Sequence, residues 1–228
     1  MKIEVKHTCD NFTSFRSEKV KSLFNAESGH NWGHIAELPI EDEGWQIGLI
    51  VGASGSGKTS IGSQIWENGI INLSKGWNPD LPIIEDIAPE NDMNVVTSAL
   101  SAVGLGDVPA WLRPFKVLSN GEQFRAGLAR LICDAPDKVV VDEFTSVVDR
   151  QIAKIGASAF AKAWRKNKGK QIVLLSCHYD IIEWLQPDWV YDTRVSEVKK
   201  KSKNDRLLNS TFGRSTEVTG SFLKSIII

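Results

Sequence analysis

The fold prediction rests on one segment of the sequence, Gly52-Ala53-Ser54-Gly55-Ser56-Gly57-Lys58-Thr59. The apolar run before it, Trp45 to Val51, has the pattern of a strand buried on both faces. The residues after it, Thr59 to Glu67, are predicted to form a helix. In this context the segment fits the pattern GxxxxGK[ST] of a phosphate-binding loop, whose glycines let backbone N–H groups face phosphate oxygens without Cβ clashes.

The loop predicts ATP and Mg²⁺ as cofactors. The Lys58 ammonium would contact the β- and γ-phosphates and act in catalysis, and the Thr59 hydroxyl would be a ligand of Mg²⁺. The N-terminus of the following helix would add a partial positive charge. The predicted nucleotide-binding residues of the loop are Gly52, Ala53, Ser54, Gly55, Ser56, Gly57, Lys58, Thr59 and Ser60.

Two acidic residues, Asp142 and Glu143, follow a second apolar strand, Lys138 to Val141. A carboxylate at this point can hold Mg²⁺ close to Thr59, so Asp142 and Thr59 are the predicted metal ligands. Glu143 is the predicted general base, which polarises the water that attacks the γ-phosphate. An acidic pair after a strand is common by itself, and it becomes specific only together with the phosphate-binding loop.

The order of the remaining segments predicts an α/β fold with a mainly parallel sheet flanked by helices, because helices lie between apolar strands. Ligands of such sheets bind beyond the carboxyl ends of the strands. Lys2 to His7 alternates with period two, so residues 1–44 are predicted to form an N-terminal antiparallel β portion. Further strands are predicted over Gln171–Leu175 and, very short, over Ile83-Ile84; helices are predicted over Asn94–Val103, Glu122–Cys133 and Ile152–Arg165.

This pattern also gives the domain organisation. We assign residues 1–195 to one domain, with a short helical subdomain at about residues 90–133. Residues 196–228 are weakly patterned and begin with a basic run around Lys199-Lys200-Lys201. A solvated tail is one interpretation of this run, and contact with phosphates or nucleic acid is the other.

A third motif, Leu118-Ser119-Asn120-Gly121-Glu122-Gln123, identifies the class. It resembles the LSGGQ signature of ABC-type ATPases, with Asn120 in place of the first glycine. The alternative is a plain helix cap, in which Ser119 and Glu122 form a capping box. Two more features resemble the same family: Ser146-Val147-Val148-Asp149 is similar to its D-loop, and His178 is similar to the switch histidine that senses the γ-phosphate.

The resemblance implies that two copies of the chain pack head to tail and enclose two ATP molecules. Ser119 and Gly121 would contact the γ-phosphate that the partner's Lys58 binds, and Asp149 would lie near the dimer seam. His178 and Glu143 would be catalytic. Hydrolysis would then remove a phosphate that both copies hold, which is a switch of the γ-phosphate type.

The sequence departs from the family pattern in three respects. The Q-loop glutamine is missing, and Glu85 or Asp86 could take its place or lie in a solvated turn. The aromatic residue expected to stack on adenine is not evident, with Phe24 and Trp32 as candidates. The interval between Lys58 and Ser119 is short, similar to a compact subgroup whose ATPase domain is often joined to a predicted GNAT-type acetyltransferase; no such segment is visible here.

Composition narrows the class of protein without identifying a partner. The 27 Lys and Arg residues nearly balance the 28 Asp and Glu residues, so the net charge of −1 favours neither a nucleic-acid nor a protein partner. Three separated cysteines, Cys9, Cys133 and Cys177, fit a reduced cytoplasmic protein, and we expect Cys133 and Cys177 to be buried. No signal peptide or membrane span is predicted.

We therefore expect a cytoplasmic ABC-type ATPase that forms an ATP-dependent homodimer and acts on an unidentified protein or nucleic-acid partner. The alternatives are the nucleotide-binding subunit of a transporter and a P-loop kinase that transfers the γ-phosphate to a small molecule or nucleotide base. A switch that binds ATP and barely hydrolyses it is disfavoured by Glu143 and His178.

Overall fold

The computed structural model describes residues 1–10, 13–25, 31–67 and 69–201, without the side chains of residues 31 and 32. The strands are β1 (Lys2–Thr8), β2 (Asn31–Glu37), β3 (Ile47–Val51), β4 (Ile70–Ile71), β5 (Lys138–Val141), β6 (Gln171–Ser176), β7 (Trp189–Asp192) and β8 (Glu197–Lys200). The helices are α1 (Phe15–Phe24), α2 (Lys58–Gly62), α3 (Ile83–Asp86), α4 (Met93–Ala102), α5 (Val108–Trp111), α6 (Asn120–Asp134), α7 (Arg150–Trp164) and α8 (Ile181–Leu185), with a 3₁₀ turn at Phe115–Val117.

The central sheet confirms the predicted fold class. Its six strands lie in the order β4-β5-β6-β3-β7-β8, and all neighbours are parallel except β7 and β8. Strands β1 and β2 form a separate antiparallel pair, as predicted for the N-terminal portion. Helical crossovers between parallel strands place the helices on the faces of the sheet, and both faces are therefore covered.

Strand β3 is buried along its whole length, as its uninterrupted apolar sequence predicts. Ile47, Leu49 and Val51 belong to the larger core with α6, α7 and α8. Ile50 faces the opposite side, where it belongs to a second core with the β1–β2 pair. The sheet thus fixes the end of β3, from which the phosphate-binding loop begins.

Two predicted elements differ in the structure. Ile83 and Ile84 begin the short helix α3 instead of a strand, because Pro82 is the N-cap and its carbonyl accepts bonds from the N–H groups of Glu85 and Asp86. The helix after the loop ends at Gly62 instead of Glu67. A Cβ at Gly62 would lie 2.7 Å from Leu175 Cδ1, so this helix packs closely on β6.

The C-terminal part of the domain also extends further than predicted. Glu197–Lys200 forms β8, which pairs with β7 in register Trp189↔Lys200 to Asp192↔Glu197. The predicted boundary at residue 195 therefore falls in the turn of this hairpin, and the basic run around Lys199 begins inside the sheet. Residues 202–228 of the predicted tail lie outside the described residues.

The packing of Gly48 gives a test of this sheet. A Cβ at Gly48 would lie 2.1 Å from Cζ2 of the buried Trp189 ring. We expect Gly48→Ala to lower the free energy of unfolding by about 1–3 kcal/mol, because overpacking forces strain on neighbouring strands. Chemical denaturation measures the change. Gly106→Ala is the matched control, since a Cβ there would meet no atom within 4 Å; equal stability of the two variants would contradict this packing.

Candidate functional site

The phosphate-binding loop closes around its own lysine. Gly57 is the N-cap of α2 with φ of 84°, a conformation that favours glycine. The Lys58 Nζ donates to the carbonyl oxygens of Gly52 and Ala53 at 2.8 and 2.7 Å. Since an ammonium has three donors, these two bonds hold Lys58 across the loop and leave a third for an anion. Burial lowers the pKa of Lys58, and the nearby Cys177 and Asp142 oppose this effect.

Thr193 supports the loop from the neighbouring strand. Its hydroxyl donates to the Ser56 hydroxyl oxygen at 2.8 Å, and its N–H donates to the Val51 carbonyl at 3.0 Å. Thr193 directly follows β7, which pairs with β3. Thr193 could not be predicted from the sequence, because its contact with the loop depends on which strand lies next to β3.

Thr59 and Asp142 meet at the carboxyl ends of β3 and β5. The Thr59 hydroxyl donates to the Asp142 carboxylate at 2.8 Å. A hydroxyl and a carboxylate side by side are oxygen ligands of the kind that Mg²⁺ prefers, so these residues fit the metal predicted from the sequence. In the part of the chain that the structure describes, no cluster of three or more His, Cys, Asp or Glu side chains could hold a metal ion by itself.

Glu143 adopts an unusual backbone conformation beside this pair. Its φ is 53°, in the left-handed region, and its N–H donates to Asp142 Oδ1 at 2.8 Å. Such a conformation costs about 1–3 kcal/mol for a residue other than glycine and persists where the surroundings enforce it. Phe144 supplies part of that support, since its ring is fully buried and its N–H donates to the Leu175 carbonyl. The Glu143 side chain remains exposed beside the Asp142 carboxylate.

A cavity of about 540 Å³ unites the loop and the acidic pair. Its lining residues are His7, Ser54, Gly55, Gly57, Lys58, Thr59, Ser60, Asp142, Glu143, Ser146, Leu175, Ser176 and Cys177. Most of the predicted nucleotide-binding, metal and catalytic residues thus share one concave site of a size that suits a small-molecule ligand. Seven predicted site residues do not line it: Gly52, Ala53 and Ser56 of the loop, and Ser119, Gly121, Asp149 and His178 from other segments.

Ser119 caps α6 in its own chain. Its N–H and its hydroxyl both donate to Glu122 Oε2 at 2.7 Å, and these bonds hold the pKa of Glu122 below its usual value. The capping box, which was the alternative to a phosphate-binding role, is therefore present. Gly121 lies against α7, where a Cβ would be 2.8 Å from Ile152 Cδ1. Residues Leu118–Gln123, which we call the signature segment, are therefore packed onto that helix.

Asp149 caps α7. Its Oδ1 accepts from the N–H groups of Gln151 and Ile152 at 2.9 and 3.0 Å. The residue thus has a structural role in its own chain, and it stands at the exposed start of a helix that packs on the signature helix α6. Its place at a dimer seam stays a prediction from the resemblance.

His178 follows β6 and approaches the turn after Glu143. Its Nδ1 lies 3.5 Å from the hydroxyl of buried Thr145, which also accepts from Arg150 at 3.4 Å. Arg150 in turn forms a two-bond ion pair with Asp180. Burial lowers the pKa of His178, and the positive charge of Arg150 acts in the same direction, whereas Asp180 opposes it. The imidazole is therefore neutral at pH 7 and can donate one hydrogen bond.

Asn72 lies beside the acidic pair, near the position for which the sequence offered Glu85 and Asp86. Asn72 directly follows β4, which pairs with β5, and it borders a small cavity of about 50 Å³ together with Asp142 and Glu143. Asp86 instead accepts from the Asn78 N–H at 2.9 Å. The only sequence signal for Asn72 was a polar amide after the two apolar residues of β4, which is too weak to locate a strand.

The N-terminal hairpin contributes His7 to the cavity. Its Nε2 lies 2.8 Å from the Ser60 hydroxyl oxygen on α2. Of the aromatic candidates for adenine, Phe24 is exposed at the end of α1 and does not line the cavity. The side chain of Trp32 lies outside the described residues.

The cysteines differ in part from expectation. Cys177 lines the cavity and is exposed, so the prediction that it is buried is wrong. Its position at the carboxyl end of β6 explains this, because the buried strand ends at Ser176. Cys133 is half-buried, and burial raises the pKa of its thiol.

Among the helices that the structure describes, none has the length and apolar character needed to cross a bilayer.

The sequence matches no protein-family model and no curated protein.

Solved structures of ABC transporter cassettes and of an ABC transporter resemble the chain in fold. A dimeric post-hydrolysis state of the cassette MJ0796, bound to ADP and Pi, has a TM-score of 0.57 at 15% identity and covers 91% of this chain and 100% of its own. CbiO1 from Clostridium perfringens, part of the ABC transporter complex cbiONQ, has a TM-score of 0.55 at 16% identity, with coverages of 79% and 84%. A metal-chelate type ABC transporter in an inward-facing conformation has a TM-score of 0.52 at 16% identity, with coverages of 69% and 72%.

The environment of His178 gives a test that is independent of enzymatic activity. Arg150→Gln removes a positive charge and leaves Asp180 facing the imidazole, so we expect the pKa of His178 to rise. In folded wild type the charged form of His178 is disfavoured, so the unfolded protein binds more protons and the folded protein loses stability as the pH falls below about 6.5. The variant, with a higher pKa for His178, should lose less stability over the same range. NMR titration of the His178 ring measures the shift. An unchanged or lower pKa would contradict the assigned contacts, and Arg16→Gln, at an exposed position on α1, is the control with the same change in charge.

Proposed function

Because this chain has the fold of ABC ATP-binding cassettes, we propose that it is a Mg²⁺-dependent ATPase that works as a head-to-tail homodimer. The observation that carries the proposal is the meeting of Lys58, Thr59, Asp142 and Glu143 in one cavity, with a hydroxyl–carboxylate contact of 2.8 Å between Thr59 and Asp142. A phosphate loop, a metal-binding pair and a base at one site are the parts that ATP hydrolysis requires.

The phosphate groups are held by the loop from Gly52 to Ser60. Backbone N–H groups, the Lys58 ammonium and the start of α2 supply positive potential to the triphosphate. Mg²⁺, when bound by Thr59 and Asp142, neutralises charge on the phosphate oxygens. The bond from Thr193 to Ser56 keeps the loop in this shape, because it ties the loop to β7.

Glu143 is the general base of the proposed reaction. It accepts the proton of the attacking water, and its exposed carboxylate stands next to the metal-binding Asp142. The left-handed backbone of Glu143 supports this role, since strain of this kind occurs at sites where function fixes the side-chain direction. Neutral His178 donates a hydrogen bond to the γ-phosphate and reports its presence to the turn that carries Thr145.

A second copy completes the site. Ser119 and Gly121 do not line the cavity of their own chain, which supports their service to another copy. The start of α6 carries N–H groups and the Ser119 hydroxyl; that hydroxyl donates to Glu122 in the single copy and would turn to the γ-phosphate in the dimer. The neighbour MJ0796 is described as dimeric with ADP and Pi bound, which supports the same assembly here.

The work done with ATP is directed to a partner, which is a protein or a nucleic acid, in the cytoplasm. A nucleotide-binding subunit of a transporter is the second candidate, because cbiO1 is part of a transporter complex. Co-purification with an integral membrane protein would favour the transporter, whereas stimulation of ATP turnover by nucleic acid would favour the first candidate.

Replacement of the base tests the reaction. Glu143→Gln keeps the shape of the side chain and removes its basicity, so we expect phosphate release to fall by about 10²- to 10⁴-fold while ATP still binds. The unhydrolysed nucleotide should trap dimers, which light scattering during size-exclusion chromatography detects. Glu90→Gln, at an exposed position, is the control. A Glu143→Gln protein that hydrolyses ATP at the wild-type rate would rule out this assignment of the base.

Replacement of Ser119 tests the role of the signature segment. Ser119→Arg places a long cation where the γ-phosphate of the second copy is proposed to lie, so hydrolysis and ATP-dependent dimerisation should both be lost. Loss of the helix cap alone costs about 1 kcal/mol, and Ser14→Arg at the N-cap of α1 is the control for that effect. If Ser119→Arg remained fully active as a monomer, the head-to-tail dimer would be refuted.

A further inference from the structure

The segment from Arg150 to Lys170 carries positive charge only. Its seven charged residues are all Lys or Arg, in a chain whose net charge is −1. Surface helices normally mix both signs of charge, which avoids a one-sided field. The segment contains α7 and the turn that follows it, so this charge is concentrated on one helix and its C-terminal extension.

Part of this charge lines a groove of about 610 Å³ along the solvent side of α7. Lys154, Ser158 and Lys162 follow each other at intervals of four residues, so they form one row on the surface of α7, and Lys166 lies in the turn just after the helix. At 1.5 Å per residue the helical row is about 12 Å long. Ala102 at the end of α4 forms the opposite wall, and α4 contains no charged residue.

The lysines of the groove have no carboxylate partner among residues 1–10, 13–25, 31–67 and 69–201. Arg150 pairs with Asp180 and Arg165 with Asp188, whereas no ion pair involves Lys154, Lys162 or Lys166 in this part of the chain. All three are exposed, and they are the only charged residues that line the groove. The groove therefore presents three positive charges to an external ligand.

We propose that this groove binds the phosphate backbone of a double-stranded nucleic acid without regard to base sequence. Lysine ammonium groups on flexible stems suit phosphates, and a helical row of about 12 Å, continued by Lys166, can reach several phosphates, which follow at about 3.4 Å of axis along one strand. The groove has no aromatic lining residue on which unpaired bases could stack, so a duplex fits better than a single strand. Ala159 and Ala163 leave room for the backbone to approach.

The position of the groove connects it to the site of hydrolysis. Helix α7 begins at the cap residue Asp149, shortly after Glu143, and it packs on the signature helix α6. A Cβ at Gly156 would lie 2.6 Å from Phe124 Cε1, so a shift of α7 would move α6 as well. The inference thus names the partner of the proposed ATPase and in that respect rests on the proposed function.

Salt-dependent binding tests the inference. Fluorescence anisotropy with a labelled DNA duplex gives the affinity of wild type, of a Lys154→Gln/Lys162→Gln/Lys166→Gln variant, and of a Lys2→Gln/Lys19→Gln/Lys116→Gln control with the same change in charge. We expect the first variant to lose about 2.7 from the slope of log affinity against log salt, and affinity to fall more than tenfold at moderate salt. The control should bind as wild type does.

The other outcomes each overturn the inference. The inference fails if wild type does not bind the duplex or binds a single strand more tightly. It also fails if the groove variant has the same salt slope as wild type. Displacement of the duplex by polyglutamate of equal charge would instead indicate an acidic protein partner. Phosphate release measured without DNA separates this result from the proposed function, because both lysine variants should hydrolyse ATP as wild type does. If the groove variant loses DNA binding and still hydrolyses ATP, the result supports the groove as the DNA site. If wild type binds DNA but does not hydrolyse ATP, the proposed ATPase function is refuted and the DNA site is not.

Discussion

The structure depends on the burial of β3 on both of its faces. A strand that is buried on both faces consists mainly of apolar side chains. Side chains that bind a ligand can therefore be expected only beyond the end of the strand. Between β6 and β7, that end delivers Gly52 to Thr59 to the carboxyl edge of a parallel sheet. The same edge receives Asp142 from β5 and His178 from β6, so the proposed catalytic site combines segments that are distant in sequence.

Small residues and strained turns then connect this site to the surface. Gly121 and Gly156 allow α6 and α7 to touch through Ile152 and Phe124, and α7 begins at Arg150, seven residues after the left-handed Glu143. Closely packed helices transmit small displacements because their interiors cannot deform continuously. Loss of a γ-phosphate beside Glu143 would therefore displace α7, including its basic side, where the proposed nucleic-acid partner binds.

The sequence predicted the parts of the site that are local along the chain. The phosphate-binding loop needs only neighbouring residues to define its shape, and the acidic pair is marked by the apolar strand before it. Thr193, His7 and Asn72 could not be predicted, because each reaches the site through a strand pairing that the sequence does not reveal. The error at Ile83 has a similar cause: Pro82 starts a helical turn, which outweighs the β propensity of two isoleucines. Cys177 was expected to be buried because it lies beside an apolar run, but it follows Ser176, where the buried strand β6 ends.

The central claim is that the signature segment of one copy completes the ATP site of the other. It is tested by mixing two inactive proteins, Ser119→Arg and Lys58→Ala, and measuring phosphate release. In a head-to-tail pair one of the two sites receives an intact Lys58 from one copy and an intact Ser119 from the other, so the account predicts that the mixture recovers part of the wild-type rate. A mixture as inactive as its components, although both proteins are folded and associate, would contradict it.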